Sequence, residues 1–299
     1  MSSSARTILI TGCSDGSLGS ALALAFHQAG WRVFASARNT SKLKNAEEAG
    51  IQTVQLDTLS DESITSCVSQ VKELTGGSLD GLVNNAGAGY NMPLLDVDIA
   101  KARQLFDLNV WSLILVTRAF LPLLMKSTRG AIVVNNTACA SLTAGSMPFS
   151  GAYNASKAAA ASLTETLRLE LEPFNVKVIN LMTGGVRSTF HRNAPDATLP
   201  PTSLYNVAKE PVERAMSGVD AVNGSDPSQW ADEVVRELSK RNPPHWVWKG
   251  KFSTLVRIAS HLPVGSLDGS MKGMVGLDVV EQKIKEQGGP SKIAANLSK

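Results

Sequence analysis

The 299 residues contain 43% hydrophobic and 18% charged side chains, and the formal net charge is only +3. This hydrophobic content suits one large α/β core, and no dense run of Lys and Arg indicates a nucleic-acid-binding surface. The three cysteines, Cys13, Cys67 and Cys139, have no paired spacing, so we expect neither a metal site nor disulfides, and a reducing, cytoplasmic location. The N-terminus lacks the pattern of a signal peptide, and the apolar runs are too short to span a bilayer.

Short apolar runs alternate with longer amphipathic stretches along most of the chain. This alternation predicts a single α/β domain with a doubly wound parallel sheet covered by helices on both faces. In chain order we predict strands at Thr7–Thr11, Arg32–Ala37, Gln52–Leu56, Leu79–Asn84, Gly130–Asn135, Val176–Leu181 and His245–Lys249, and helices at Leu18–Ala29, Asp61–Thr75, Ile99–Met125, Gly151–Pro173 and Pro227–Arg241.

The regular alternation stops after residue 183. Residues 187–226, rich in proline and polar residues, predict an irregular loop with short helices. Because ligands bind outside the carboxyl ends of parallel strands, we expect this loop to cover the functional site. We assign the main domain to residues 1–265, including the loop, and a C-terminal tail to residues 266–299.

A glycine-rich turn, TGCSDGSLG at Thr11–Gly19, follows the first predicted strand. Glycines there let backbone N–H groups approach a pyrophosphate, and the N-terminus of the next helix adds a partial positive charge. The motif alone is also compatible with a tight turn that binds nothing. Its place at the first β–α junction favours a dinucleotide site.

The end of the second predicted strand indicates which nicotinamide dinucleotide would bind. An acidic residue there binds the ribose 2′-hydroxyl of NAD, whereas a basic residue suits the 2′-phosphate of NADP. Arg38 follows this strand, and no Asp or Glu lies between Arg32 and Lys44. We therefore expect NADP(H), with Ser14 as a second candidate phosphate contact. The alternative is that Arg38 is a solvated loop residue.

A tyrosine and a lysine lie one helical turn apart, at Tyr153 and Lys157. A free tyrosine has a pKa of about 10, and a neighbouring ammonium stabilises the phenolate and lowers that pKa. Such a pair can deliver a proton to a carbonyl oxygen while a hydride arrives at carbon. The same spacing also arises by chance on helix surfaces, so the pair is informative only in context.

That context is the ordered set TGCSDGSLG, LDT, NNAG, LNV and YNASK. It resembles the short-chain dehydrogenase/reductase family over about residues 5–190, and more weakly to about residue 265. The segments GCSDGSLG, AYNASKAA and Trp246–Trp248 are most similar to fungal carbonyl reductases related to acyl-dihydroxyacetone-phosphate reductases. The resemblance implies a Rossmann-type fold and an NADP(H)-dependent oxidoreductase. It also implies a homodimer or homotetramer in which Ala158, Ala159 and Ala161 pack against a second subunit.

The resemblance implies roles for individual residues as well. Tyr153 would act as general acid, Lys157 would tune it and hold the nicotinamide ribose, and the backbone of Asn109 would hold a water that links Lys157 to solvent. The other implied cofactor contacts follow the dinucleotide. Gly12, Gly16, Leu18 and Gly19 would contact the phosphates, and Asp57 the adenine. Asn85, Ala86 and Gly87 would lie at the end of the fourth strand, with Asn85 and Ala86 beside the adenosine ribose, and Gly184, Val186 and Ser188 would contact the nicotinamide amide.

Two positions depart mildly from the family pattern. The glycine turn has one extra residue, with Ser17 where a glycine is common, and Leu18 and Gly19 would restore the register. Thr183 stands where the family generally has proline, and we expect this change to loosen its loop.

The catalytic serine is the serious departure. Counting back from Tyr153 to the family's serine position gives Ala140, and counting forward from the fifth strand gives Ala138 or Cys139, while Ser141 is one residue off register. A one-residue bulge would let Ser141 present its hydroxyl to the substrate, and we retain it as a candidate catalytic residue. Otherwise the site loses one hydrogen-bond donor, or relies on Cys139 or Thr143.

Apolar residues in the loop and in the chain after the last predicted helix allow two interpretations each. Those in the loop either line a pocket for a medium-sized hydrophobic ketone or aldehyde or only anchor the loop: Phe190, Leu199, Leu204, Tyr205 and Val207. Those after the last helix either form a membrane-surface patch or, more commonly, pack on their own domain: Trp246, Trp248, Phe252, Leu255, Val256 and Ile258, with Lys249, Lys251 and Arg257.

Three functions remain open at the level of sequence. The first is NADP(H)-dependent reduction of a hydrophobic carbonyl, or the reverse oxidation of the alcohol. The second is a non-redox isomerase or cyclase that keeps the cofactor as scaffold, an alternative motivated by the displaced serine. The third is a cofactor-binding sensor without catalysis, against which Tyr153, Lys157 and Asn109 argue.

Overall fold

The structure, a computed structural model, describes residues 5–190, 197–218 and 224–297. Within these residues the strands are β1 (Thr7–Ile10), β2 (Arg32–Ala37), β3 (Gln52–Gln55), β4 (Gly81–Asn84), β5 (Ala131–Asn136), β6 (Val176–Thr183) and β7 (Trp246–Lys249). They form one parallel sheet in the order β3-β2-β1-β4-β5-β6-β7. The strand order reverses between β1 and β4, which confirms the predicted doubly wound Rossmann-type sheet.

Helices cover both faces of the sheet. Up to the last strand they are α1 (Leu18–Gln28), α2 (Lys44–Glu48), α3 (Asp61–Thr75), α4 (Ile99–Phe106), α5 (Ser112–Leu124), α6 (Gly151–Leu171), α7 (Lys209–Ser217) and α8 (Pro227–Leu238). Alternate residues of a strand point to opposite faces, so β1 serves two cores. Ile8 and Ile10 pack with α1 and α8, where Trp230 is buried, while Leu9 packs with Phe120 of α5 on the other face.

The long helix predicted at Ile99–Met125 is interrupted by a π-helical turn and not by its proline. A π-helical turn at Asp107–Trp111 separates α4 from α5, whereas Pro122 lies inside α5. Among the described residues, Ile99–Leu124 is long and apolar enough to cross a membrane. Half of the 18-residue apolar window within it is, however, buried inside the protein. Val116 and Phe120 pack in the sheet core, so this is a core helix of the domain.

The chain beyond β7 forms helices that the sequence pattern did not reveal. They are α9 (Ser253–Ala259), α10 (Asp268–Met274), α11 (Leu277–Glu286) and α12 (Pro290–Leu297). Val275 and Val280 of this segment share a buried cluster with Leu199, Val212 and Met216 of the loop after β6. The described part of the predicted loop and the predicted tail therefore pack together as one helical cap, which also buries Phe149.

Candidate active site

The predicted phosphate turn lies at the carboxyl end of β1, where the strand order reverses. Gly12 has φ +72°, and a methyl group there would lie 2.9 Å from the Cα of Ala86. A methyl group at Gly19 would lie 2.4 Å from the Gly12 carbonyl oxygen and 2.6 Å from the Asn85 side chain. Larger residues would therefore separate α1 from the end of β4.

The extra residue of the turn becomes the cap of α1. Ser17 Oγ accepts a hydrogen bond from Ser20 N at 3.1 Å and donates one to the Gly12 carbonyl at 2.9 Å. The helix thus begins at Leu18, which restores the register as predicted. The N–H groups of Leu18 and Gly19 find no acceptor within the described part of the chain. Free N–H groups at a helix N-terminus suit the pyrophosphate of a dinucleotide, so these residues fit that group.

The turn contacts the ends of β2 and β6. Cys13 N donates to the Ser36 carbonyl at 2.8 Å, which brings the turn beside the end of β2, where Arg38 is exposed. Thr189 N donates to the Gly16 carbonyl at 3.1 Å, so the chain after β6 closes on the same turn. Ser14 is half-buried on the turn between these two contacts.

Asp57, predicted at the adenine, follows β3. Its carboxylate accepts a hydrogen bond from Leu59 N at 3.0 Å, which closes a local turn. Asp15, the acidic residue of the glycine turn, accepts from the N–H groups of Lys44 and Asn45 at 3.2 and 3.0 Å. These contacts place its negative charge at the start of α2.

The loop after β6 is fixed by its neighbours. Gly184 lies so close to the Lys251 carbonyl that a methyl group would come within 2.2 Å of that oxygen. Val186 pairs with Ser225 and contacts Gly250, while the Ser188 hydroxyl accepts a hydrogen bond from Phe190 N at 3.3 Å. The three residues predicted at the nicotinamide amide thus lie on one stretch that runs from β6 to the glycine turn.

Thr183 does not loosen this loop, contrary to our expectation. Its buried hydroxyl donates to Asn136 Oδ1 at 2.7 Å, and Asn136 Nδ2 donates to Asn85 Oδ1 at 3.1 Å. The carboxyl ends of β4, β5 and β6 are therefore tied by side chains. Sequence reasoning missed Asn136, and its only signal was the polar pair Asn135-Asn136 at the end of an apolar strand.

Tyr153 and Lys157 lie in the first turns of α6, facing the end of β5. Lys157 Nζ donates to the Asn136 carbonyl at 2.9 Å and lies 5.8 Å from the centroid of the Tyr153 ring. A methyl group at Gly87 would lie 3.6 Å from Lys157 Nζ, so the end of β4 reaches the same point. The structure thus brings the predicted pair to the end of the sheet that carries the glycine turn.

Asn109 is buried in the π-helical turn between α4 and α5. Its Oδ1 accepts from Ala88 N at 2.9 Å, and its Nδ2 donates to the Ala88 carbonyl at 2.9 Å and to Ser156 Oγ at 3.0 Å. The side chain thus joins the chain after β4 to α6. A π-helical turn also disturbs the regular hydrogen bonding of the backbone, which is where the predicted water-binding carbonyl would lie.

Burial dominates the electrostatics of the pair. It lowers the pKa of the Lys157 ammonium to about 8. It raises the pKa of the Tyr153 phenol well above its usual range, with a smaller rise from nearby Cys139. The direction for Tyr153 is opposite to the one expected from sequence, because desolvation of the phenolate outweighs the attraction of Lys157. The phenol is therefore protonated at neutral pH.

The position of the missing serine is filled by a strained turn. Ala138 has φ +64°, and both Thr137 N and Ala138 N donate to the Leu181 carbonyl, at 3.1 and 3.4 Å. The buried hydroxyl of Ser141 contacts Met182 Sδ at 3.7 Å, and among the described residues it forms no hydrogen bond with Tyr153. Cys139, whose thiol pKa burial raises to about 12, is the neighbour that affects Tyr153.

Aromatic and apolar side chains surround the Tyr153 phenol. The rings of Phe190 and Tyr153 are 5.6 Å apart, and Phe190 also contacts Gly89, where a methyl group would lie 2.9 Å from its ring. In the cap, Phe149 and Tyr205 form an edge-to-face pair at 5.3 Å. Leu204, by contrast, is largely exposed, so not all of the predicted apolar loop residues share this environment.

The fold and the site together define an α/β protein of the dinucleotide-binding type, with a Tyr–Lys pair at the end of the sheet that carries the glycine turn. The chain matches the family model described as short chain dehydrogenase over residues 6–198. It is 46% identical over 289 residues to a short-chain dehydrogenase/reductase of Pestalotiopsis microspora, covering 95% of this chain and 99% of that relative. The chain therefore belongs to the short-chain dehydrogenase/reductase family and is an oxidoreductase of that family, with fungal relatives.

Two further similarities extend over most of the chain. The NADPH-dependent 1-acyldihydroxyacetone phosphate reductase of Schizosaccharomyces pombe is 35% identical over 284 residues, covering 91% of this chain and 95% of that relative. The crystal structure of a short-chain dehydrogenase from Streptomyces avermitilis matches with a TM-score of 0.73 at 28% identity, covering 96% of this chain and 97% of that one. The resemblance stated from the sequence motifs is thus confirmed, and the similarity extends beyond the part of the chain that those motifs cover.

Proposed function

We propose that this chain is an NADP(H)-dependent reductase of medium-sized hydrophobic ketones or aldehydes. The observation that carries the proposal is the meeting of three side chains at the carboxyl end of the sheet. Tyr153 and Lys157 come from α6 and Asn109 from the π-helical turn, and all lie beside the chain that follows β4. The phosphate turn lies at the end of β1, the neighbour of β4 in the sheet.

The residues divide the chemistry as follows. Bound NADPH would supply a hydride to the carbonyl carbon. Tyr153 would donate its phenolic proton to the carbonyl oxygen, and Lys157, still cationic at neutral pH, would stabilise the phenolate that remains. Asn109 would hold the chain after β4 against α6 and leave its backbone carbonyl for a water that returns the proton. Gly184, Val186 and Ser188 would border the nicotinamide.

The electrostatics of Tyr153 suit a general acid. Such a group must be protonated before it reacts, and desolvation raises the pKa of the Tyr153 phenol well above its usual range. The phenol is therefore in the form that carbonyl reduction requires.

Two independent features favour NADP(H) over NAD(H). Arg38 is exposed beside the glycine turn, and Asp15, the acidic group of that turn, is engaged at the start of α2. A basic side chain here suits the 2′-phosphate, and Ser14 offers a second contact. The relative from Schizosaccharomyces pombe is named as NADPH-dependent, which agrees with this assignment.

A cytoplasmic homodimer or homotetramer remains our proposal for the assembly. The alanine-rich face of α6 supports it only in part, because Ala161 is buried in its own chain while Ala158 is exposed.

The proposal is tested by following NADPH absorbance with the purified full-length protein and a panel of hydrophobic ketones and aldehydes. We expect Tyr153→Phe to lower the rate by about 10²–10⁴-fold, since it removes the general acid, and to leave NADPH affinity nearly unchanged. Tyr205→Phe is the matched control, because it removes a phenolic hydroxyl from the cap and should retain most of the activity.

Other outcomes would replace the proposal. Product formed from a substrate while nicotinamide absorbance stays constant would identify the non-redox isomerase or cyclase. Tight NADPH binding with no turnover of any compound in the panel would indicate a cofactor sensor. A Tyr153→Phe enzyme as active as the wild type would exclude the mechanism itself.

A further inference from the structure

Several exposed apolar side chains lie on the helix that follows the last strand and on the residues at its two ends. These residues, here called the α9 patch, are Phe252, Leu255, Ile258, Leu262 and Val264, with exposed fractions of 59, 54, 60, 49 and 88%. Leu255, Ile258 and Leu262 lie at spacings of three and four residues, so they share one side of the helix and its final turn.

The folded chain does not bury this side. The opposite side of α9 already packs inward through Ser253, Val256 and Ala259, all buried. Val256 contacts Cys139 and Met182 beside the active site. The helix is thus apolar on its exposed side as well as on its buried side. Because neighbouring exposed apolar side chains usually mark a binding surface, we expect a partner to cover the exposed side.

The backbone holds the patch rigidly. Lys251 pairs with Gly185 through hydrogen bonds of 2.8 and 3.0 Å, and the tight turn that follows gives Phe252 a φ of +66°. A bulky residue in the left-handed region is strained, and here the strain accompanies an exposed aromatic ring. The surface is thus anchored to the strand end that leads to the nicotinamide loop.

The charged residues within the segment that carries the patch have one sign. Between Lys249 and Asp268 the sequence contains Lys251, Arg257 and His261 and no acidic residue. Lys249 is directed to Glu233 and Glu237 at 3.8 and 3.9 Å, but Lys251 and Arg257 form no ion pair in the described part of the chain. Lys251 Nζ lies 5.2 Å from the centroid of the Phe252 ring, so this charge contacts the patch itself. An exposed apolar surface with basic residues that form no ion pair matches the interface of an anionic bilayer.

A second copy of the chain is the less favourable partner. In a dimer whose two-fold axis passes through the patch, the basic residues of both copies would meet at one interface to which the patch contributes no acidic partner. The tryptophans that the sequence suggested for this surface are also turned inward. Trp246 Nε1 donates to Glu165 Oε1 at 2.6 Å, and Trp248 stacks on Trp246.

We propose that the α9 patch docks the protein peripherally on anionic phospholipid bilayers, with Lys251 and Arg257 at the headgroups and the apolar side chains below them. This proposal does not depend on the catalytic function. If both the catalytic proposal and the docking proposal are correct, the side of the active site formed by Cys139 and Met182 lies directly behind the membrane-bound helix. An apolar substrate dissolved in the bilayer would then be close to the active site.

The test is co-sedimentation of the purified full-length protein with two kinds of vesicle: phosphatidylcholine alone, and phosphatidylcholine partly replaced by phosphatidylserine. We expect binding to the anionic vesicles that weakens with added salt. Leu255→Ser with Ile258→Ser should reduce this binding by about tenfold or more, because it removes apolar burial. Lys251→Gln and Arg257→Gln should each reduce it by about fivefold, and only on anionic vesicles.

Leu59→Ser with Leu169→Ser is the control, since both leucines are exposed elsewhere on the protein. Thermal unfolding of every variant verifies that it is folded. Equal sedimentation of wild type and the Leu255/Ile258 variant, or no sedimentation of the wild type with anionic vesicles, would overturn the proposal. Loss of a dimer in analytical ultracentrifugation on the same double substitution, without vesicle binding, would show instead that the patch is a self-interface.

Discussion

Lys157 has two tasks at the residue scale, and its position serves both. Its ammonium donates to the Asn136 carbonyl, which fixes the side chain, and it remains 5.8 Å from the Tyr153 ring. Burial lowers the pKa of Lys157 to about 8, so the side chain is still largely protonated at neutral pH. The charge that would stabilise a phenolate is therefore present when Tyr153 donates its proton.

Arg38 decides the choice of cofactor in our proposal. Arg38→Asp should shift preference from NADPH toward NADH by more than tenfold in kcat/KM, because the carboxylate repels a 2′-phosphate and accepts from a ribose hydroxyl. The measurement is initial rates with each cofactor at saturating ketone. Arg32→Asp, at the exposed start of β2, is the control and should leave the preference unchanged. An unaltered ratio in the Arg38 variant would refute the assignment.

Ser141 and Cys139 compete for the place of the displaced serine. Ser141 contacts Met182 Sδ, whereas Cys139 is near enough to raise the pKa of Tyr153 and keeps a protonated thiol. We therefore expect Ser141→Ala to keep kcat within about threefold, which is far less than the ~10²–10³-fold loss for a true oxyanion donor. Cys139→Ala should have the larger effect. A large loss in Ser141→Ala alone would show that its hydroxyl turns to the substrate.

At the scale of elements, the π-helical turn between α4 and α5 is what brings Asn109 to the site. In an uninterrupted α-helix each carbonyl would be hydrogen-bonded within the helix. The Asn109 side chain would then point elsewhere and would not form its two hydrogen bonds with the Ala88 backbone. Pro122, one turn from the end of α5, causes no such break.

The helical cap is the element that we expect to set substrate affinity. Val280 of α11 is buried against residues of the loop after β6, so Val280→Asn would place an amide in an apolar cluster and loosen the cap. We expect KM for a hydrophobic ketone to rise several-fold while NADPH affinity stays constant. Gln282→Asn, exposed on the same helix, is the control. Equal KM values in the two variants would show that the cap does not contribute to substrate binding.

At the scale of the whole molecule, the candidate cofactor site joins both halves of the sheet. The glycine turn and Arg38 lie on the β1–β2 side, and Gly184 and Lys157 on the β5–β6 side. A ligand that bridges these halves binds only the folded chain, so it stabilises the fold as a unit.

Thermal unfolding should report this bridging. At about 100 times its Kd, NADPH would add about 2.7 kcal/mol to the free energy of unfolding. For a chain of this size the rise in Tm should be about 4 °C, with a smaller rise for NADH at equal concentration. Differential scanning calorimetry of the full-length protein provides the measurement, and identical shifts with both nucleotides would contradict the preference for NADP(H).

The sequence by itself determined the chain order of the seven strands and of the longer helices before the last strand, and it suggested the site residues. Buried parallel strands are continuous apolar runs, and the glycine turn and the Tyr153–Lys157 spacing are local patterns, so both can be seen along the chain. Element ends moved by only a few residues, and Arg32–Ala37 and Asp61–Thr75 were predicted with their observed limits.

Only the tertiary structure decided properties that depend on residues distant in sequence. The high pKa of Tyr153 follows from burial, the bonding of Thr183 to Asn136 from the pairing of β5 with β6, and the cap from contact of α11 with a loop some 70 residues earlier. Periodicity shows that a side chain is apolar or polar, but solvent exclusion and long-range contacts fix its charge state, and those arise only once the chain has folded.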